Sequence, residues 1–223
     1  MKKIILLISF LLLTQLGSAQ VNIGARMGLN AGLFELKGVD MDKYKITPRY
    51  NVLINLDADV PFSTVFSFRT GIGLVQKWSE VDHITPIDTT SVFYKMSYLE
   101  MPLFLVARGE TDFFGNFYFG VGPTLSLGVG GQVNIFKNSG GLPYEDSPKI
   151  NWNGKPAPPE HHGYNHFKRF DFGIGAILAY QLPRSGITFT ASYNKGLRDI
   201  SPNPDVTFRT SYVGLSIGFF MQN

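Results

Sequence analysis

Residues Val21 to Leu33 alternate without a break between apolar and small or polar side chains. Val21, Ile23, Ala25, Met27, Leu29, Ala31 and Leu33 fall on one face. Asn22, Gly24, Arg26, Gly28, Asn30 and Gly32 fall on the other. A period of two belongs to an extended strand, and a helix with about 3.6 residues per turn cannot hold it over this length. The pattern returns over Tyr50–Val60, Phe66–Leu74, Leu99–Ala107, Phe117–Val129, Phe170–Leu178, Ile187–Tyr193 and Val213–Phe219. An all-β chain of eight strands is expected, several of them matching the ~9–11 tilted residues that cross a bilayer.

The connections alternate in length. Pro61–Ser63, Gly109–Gly115 and Leu182–Gly186 are short or modest. Phe34–Thr47, Ser79–Ser97, Gly131–Lys168 and Lys195–Val206 are long. Short turns on one side and long loops on the other describe an up-and-down antiparallel transmembrane barrel. A soluble ligand-binding barrel also alternates, with its apolar face inward. Two features favour the membrane. The polar face is crowded with glycine, which suits a narrow lumen better than a wet surface. Aromatic residues such as Tyr50, Phe66, Trp78, Phe117, Phe170, Tyr193 and Phe219 gather near strand ends, as interfacial girdles do.

With apolar residues outward, Arg26, Asn30, Asn55, Asp57, Asp59, Arg69, Glu100, Arg108 and Asp171 point into the lumen. An eight-stranded barrel has an interior that side chains just fill. Buried charges must pair or they cost several kcal/mol each. The set Arg26, Asp57, Asp59, Arg69, Glu100, Arg108 and Asp171 is therefore read as a charge network filling the lumen, which disfavours a general porin. A narrow transporter or small-ligand barrel is the rival reading.

Lys2 and Lys3, the apolar run Ile4–Leu13 and the small residues Gly17-Ser18-Ala19 have the order of a secretory leader. Residues 1–19 are read as a cleaved signal peptide and 20–223 as the barrel domain. Without Lys2 and Lys3, 18 of the 20 basic residues face 17 acidic ones, so charge gives no reason to propose nucleic acid as a partner. The absence of cysteine excludes a lipidated N-terminal Cys, disulfides and thiolate metal sites.

Three segments resemble the porT-like outer-membrane β-barrel proteins: Ile23–Gly32 (IGARMGLNAG), Tyr98–Leu105 (YLEMPLFL) and Tyr212–Phe220 (YVGLSIGFF). Tyr-Leu-Glu-x-Pro is the more specific tag, and the glycine-rich strands are generic. The resemblance spans the chain from about Val21 onward and implies a small barrel in the outer membrane. It raises, without implying it for this member, a part in a protein secretion or gliding apparatus. One departure is that Met221-Gln222-Asn223 follow Phe220, where such barrels commonly finish on an aromatic residue.

Signals for chemistry are weak. His83, His161, His162 and His166 all fall in expected loops. His161, His162 and His166 with Glu160 have the ligand types for zinc, copper or nickel, yet their spacing fits no established motif, and the segment is rich in proline. No cofactor is expected. A barrel hydrolase needs a base beside a nucleophile near a strand end, and no histidine falls on an expected strand, so no enzyme is expected. The 38-residue connection Gly131–Lys168, carrying Tyr144, Trp152 and Tyr164, is the expected partner-contact loop. The sequence thus reads as an outer-membrane barrel with a structural or interaction role. Its partners would be outer-membrane lipid and other envelope proteins.

Overall fold

A computed structural model of the chain describes residues 21–85, 89–111, 115–139, 142–156 and 165–221. The leader expected over residues 1–19 lies outside these. Ten strands form: β1 (Asn22–Lys37), β2 (Tyr44–Pro48), β3 (Tyr50–Pro61), β4 (Phe66–Ile84), β5 (Thr89–Thr111), β6 (Gly115–Ser139), β7 (Leu142–Asp146), β8 (Phe170–Gln181), β9 (Ile187–Gly196) and β10 (Thr207–Phe220). Eight of them close a ring in the order β1-β3-β4-β5-β6-β8-β9-β10, every neighbour antiparallel. The seam pairs first strand with last, placing Ala25 opposite Phe219 and Leu29 opposite Leu215. A closed ring leaves no unpaired edge. β2 pairs with the far end of β4, and β7 with the far end of β6.

All eight alternating segments are ring strands, but three run much further than the alternation suggests. β4, β5 and β6 have 19, 23 and 25 residues, whereas β9 has 10. Most of Ser79–Ser97, expected as a loop, is the upper part of the β4–β5 hairpin. The connection Gly131–Lys168 opens as strand and returns as β7, and β2 begins within Phe34–Thr47 and runs on to Pro48.

The reason is an inversion of polarity part-way up the wall. In the lower section, toward the short turns, Ile23, Ile54, Ile72, Phe119 and Leu215 are exposed on the outside, while Asn30, Asp57, Glu100 and Thr190 are buried inside. In the upper section the faces exchange character. Val81, Val92, Tyr94, Met96 and Val133 point inward and are buried. Glu80, Asp82, Ser91 and Lys95 occupy the outward positions. In β1, β4, β5 and β10 the backbone period does not change, so the crossover leaves two adjacent apolar residues facing opposite ways: Leu33-Phe34, Leu74-Val75, Tyr98-Leu99 and Tyr212-Val213. Leu74-Val75 and Tyr98-Leu99 pair directly across β4 and β5.

β6 adds a bulge at the same border. Tyr98 lies opposite Gly128 and Ser97 opposite Gly130, leaving Val129 as the extra residue. This shifts the inward phase by one, so Val133 turns into the barrel and is fully buried.

The upper section has an ordinary apolar core. Phe34, Tyr94, Phe167 and Phe208 form an aromatic cluster around Phe208, whose ring centroid lies 4.9, 5.3 and 5.2 Å from those of Phe34, Tyr94 and Phe167. Ile150, Ile200, Val133 and Met96 pack with them.

Candidate functional site: the lumen and the upper rim

The lumen holds three ionic groups at increasing distance from the short turns. Nearest them, Arg69 Nε lies 3.0 Å from Asp59 Oδ1, which also accepts from Ser67 Oγ at 2.8 Å. The guanidinium sits between the rings of Tyr118 and Phe220, 5.0 and 4.7 Å from their centroids. Next, Arg26 Nε donates to Asp57 Oδ2 at 2.6 Å.

The third group is centred on Lys77, whose side chain is wholly buried. Its Nζ lies 3.5 Å from Glu100 Oε2, 3.7 Å from Asp171 Oδ2 and 3.4 Å from Thr210 Oγ1. Tyr212 donates its hydroxyl to Glu100 Oε1 at 2.6 Å, and Ser126 donates to Glu100 Oε2 at 3.0 Å. Thr210 donates to Asp171 Oδ2 at 2.8 Å. The rings of Tyr98 and Tyr212 flank the ammonium at 4.7 and 5.5 Å. Among the described lumen groups, the cations Arg26, Arg69 and Lys77 face the carboxylates Asp57, Asp59, Glu100 and Asp171.

Six of the seven expected lumen charges thus meet in these groups. Arg108 does not: its Nη2 reaches the carbonyls of Ser63 and Thr64 at the short-turn end, 3.4 Å from each. Lys77 was not anticipated. It lies on the inward parity of β4, two residues past Val75, beyond the point where the apolar alternation stops. Extending the strand by backbone parity alone would have found it.

Above Lys77 the lumen is closed by the aromatic cluster. Trp152, expected as an outward contact, instead folds inward. Its ring is 5.4 Å from that of Tyr98, and it covers Gly128, where any Cβ would stand 2.6 Å from the indole. A glycine on the strand leaves the space the indole fills. Tyr144, on β7, is exposed. Tyr164, His161 and His162 lie outside the described residues. His166 Nδ1 is 3.1 Å from the Lys155 carbonyl, and no metal-ligating cluster forms among the described residues. His83 sits in β4 and not in a loop, its ring 4.8 Å from that of Tyr44.

The outer surface of the upper section carries charged side chains that find partners. Arg49 and Glu80 form an ion pair, with Arg49 over Phe93. Lys95 lies over the ring of Trp78, 5.4 Å away. In the first long connection, the hydrogen bond from Lys43 holds the Asp40 carboxyl below its ordinary pKa and raises that of Lys43.

Residues 14–201 match the model of the outer membrane protein β-barrel domain. The chain belongs to that family. The protein is therefore an outer-membrane β-barrel, and its lower section is the membrane section. Short turns of such barrels face the periplasm and long loops face outward, which makes the upper section external. No curated protein matches the chain. Among solved structures, this barrel is similar to OprG from Pseudomonas aeruginosa, with 13% identity and TM-score 0.45, covering 92% of this chain and 98% of that one. It is also similar to Ail, the attachment invasion locus protein of Yersinia pestis, with 13% identity and TM-score 0.39, covering 90% and 99%. Neisserial surface protein A matches at 9% identity and TM-score 0.37, covering 91% and 98%.

Proposed function

We propose that this barrel is closed to solutes and acts through the external rim that upper β4, β5, β6 and β7 raise above the membrane. The observation that carries this reading is a lumen filled at two levels. Paired charges occupy the membrane section, and the Phe34–Tyr94–Phe167–Phe208 cluster closes it above. A solute would have to displace both. The rim offers Phe136 and Tyr144 as exposed aromatic residues, a residue type favoured in protein contacts. Protein in planar bilayers is expected to be silent, and stepwise conductance would overturn the closed-lumen reading. Photo-crosslinkers at Phe136 and Tyr144 in cells are expected to give discrete envelope-protein adducts. Their absence would reduce the role to a structural one.

Within the family we place the chain nearest the porT-like barrels, on the segment Tyr98–Leu105. Tyr98 and Glu100 of that segment are engaged with Lys77, which supports a structural job for the motif itself. Any secretion or gliding role would therefore rest on the rim, and co-purification of secretion components with the adducts would support it. No catalytic role is proposed. Residues 1–19 are proposed as a cleaved leader; a mature N-terminus at Gln20 by mass spectrometry is the expected result.

A further inference from the structure

Two grooves in the lipid-facing wall differ in the charge of their lining. The first, of about 440 Å³, runs between Leu99, Met101, Leu125, Leu127, Phe170 and Phe172, with Arg198 also in its lining. Glu100 and Asp171 border it too, but their carboxylates turn into the lumen. The second, of about 500 Å³, lies between Met27, Leu29, Tyr50, Val213 and Leu215 and has no charged residue in its lining. A lipid wall needs no cation, so the arginine marks the first groove.

Arg198 is placed there by an anchored segment. The N–H groups of Leu197 and Arg198 both donate to the Phe172 carbonyl, at 2.8 and 3.2 Å. Just beyond, Asp199 Oδ1 accepts from Ser201 N at 3.0 Å and Phe208 N at 2.9 Å, and Ile200 is fully buried. Arg169, whose Nε donates to the Gly128 carbonyl at 3.1 Å, and Lys195 are also exposed. Arg169 precedes Phe170, and Lys195 pairs with Ile174 on the neighbouring strand. This end of the groove is external, where the outward wall changes from apolar to polar.

We infer that this groove binds one lipid of the outer leaflet, an acyl chain lying on Leu99, Leu125 and Phe172 and a headgroup phosphate held by Arg198. A guanidinium suits phosphate because its planar fork donates two parallel hydrogen bonds. At the bilayer surface, an anionic headgroup adds attraction from Arg169 and Lys195.

The test uses the full chain refolded in detergent, with phosphorylated lipid A and its dephosphorylated form as probes and native mass spectrometry as the readout. One phosphorylated lipid A per chain is expected to be retained. Arg198→Ala is expected to lower that retention about tenfold, the loss of one charge-assisted contact. Leu99→Trp, which fills the groove, should do the same, and Leu29→Trp in the second groove should not. Equal retention of both lipid forms, unchanged retention in Arg198→Ala, or an equal loss in Leu29→Trp would each overturn the site. Heat-modifiable migration verifies the fold of every variant. Arg198 is solvent-exposed, so its variant decides the matter should Leu99→Trp fail to fold. The closed-lumen reading is scored separately by conductance.

Discussion

The membrane section and the external section of this barrel are made from the same strands and obey opposite rules. In the membrane section, Leu215 and Ile54 face out and Asp57 and Asp59 face in. Further up β4, past Leu74-Val75, Glu80 faces out and Val81 faces in. The solvent outside has changed from hydrocarbon to water, and the inside has changed to compensate. Charged groups in the lower lumen pair with one another, as Arg26 does with Asp57 and Arg69 with Asp59. The upper interior is apolar because water outside rewards an apolar core. Stability in the first section should therefore hinge on charge pairing, and in the second on packing.

The harshest way to break that comparison is Lys77→Ala. It strands Glu100 and Asp171 without their shared cation, and removing one partner of a buried ionic group costs about 3–5 kcal/mol. Urea unfolding of protein in lipid vesicles should show a loss of about 4 kcal/mol or no folding at all; a loss below about 1 kcal/mol would remove the claim that charge pairing holds this section. Phe208→Ala comes next, with an expected loss of about 3 kcal/mol from the cavity left among Phe34, Tyr94 and Phe167. Here proteolysis should attack the external section while the membrane section stays protected. Simultaneous digestion of both would show that the two are not separate regions.

Leu215→Arg places a charge on the lipid face and is expected to cost about 2 kcal/mol. Thr89→Arg, at the exposed top of β5, is expected to shift stability by no more than about 0.5 kcal/mol. The difference between the two, read from the same urea titration, sharpens the position of the border; equal costs would misplace it. Arg49→Gln is a similarly mild change. It removes an exposed ion pair with Glu80 on the watered side and should cost about 0.5 kcal/mol, falling further at high salt.

Much of this was legible. Alternation gave the eight ring strands, their antiparallel order and the outward face, because a closed barrel in lipid leaves one solution for a period-two chain. Six lumen charges could be placed by parity. The strand ends above the border could not. Hydrophobic alternation measures phase against the surroundings, and at Leu74-Val75 and Tyr98-Leu99 the surroundings change while the backbone continues. The apparent loss of pattern reads as a loop. Lys77 was missed for this reason, and Val129 hides the same continuity in β6 behind a bulge.

What the sequence by itself determined is the period, the number of crossings and which face meets lipid, since these follow from local geometry and side-chain polarity. Only the tertiary structure decided which charges meet, that Trp152 turns inward over Gly128, and that Arg198 stands at the head of an apolar groove. These depend on ring closure and on the register between strands far apart in the chain, such as β4 with β10 across the lumen. No local pattern encodes such distances.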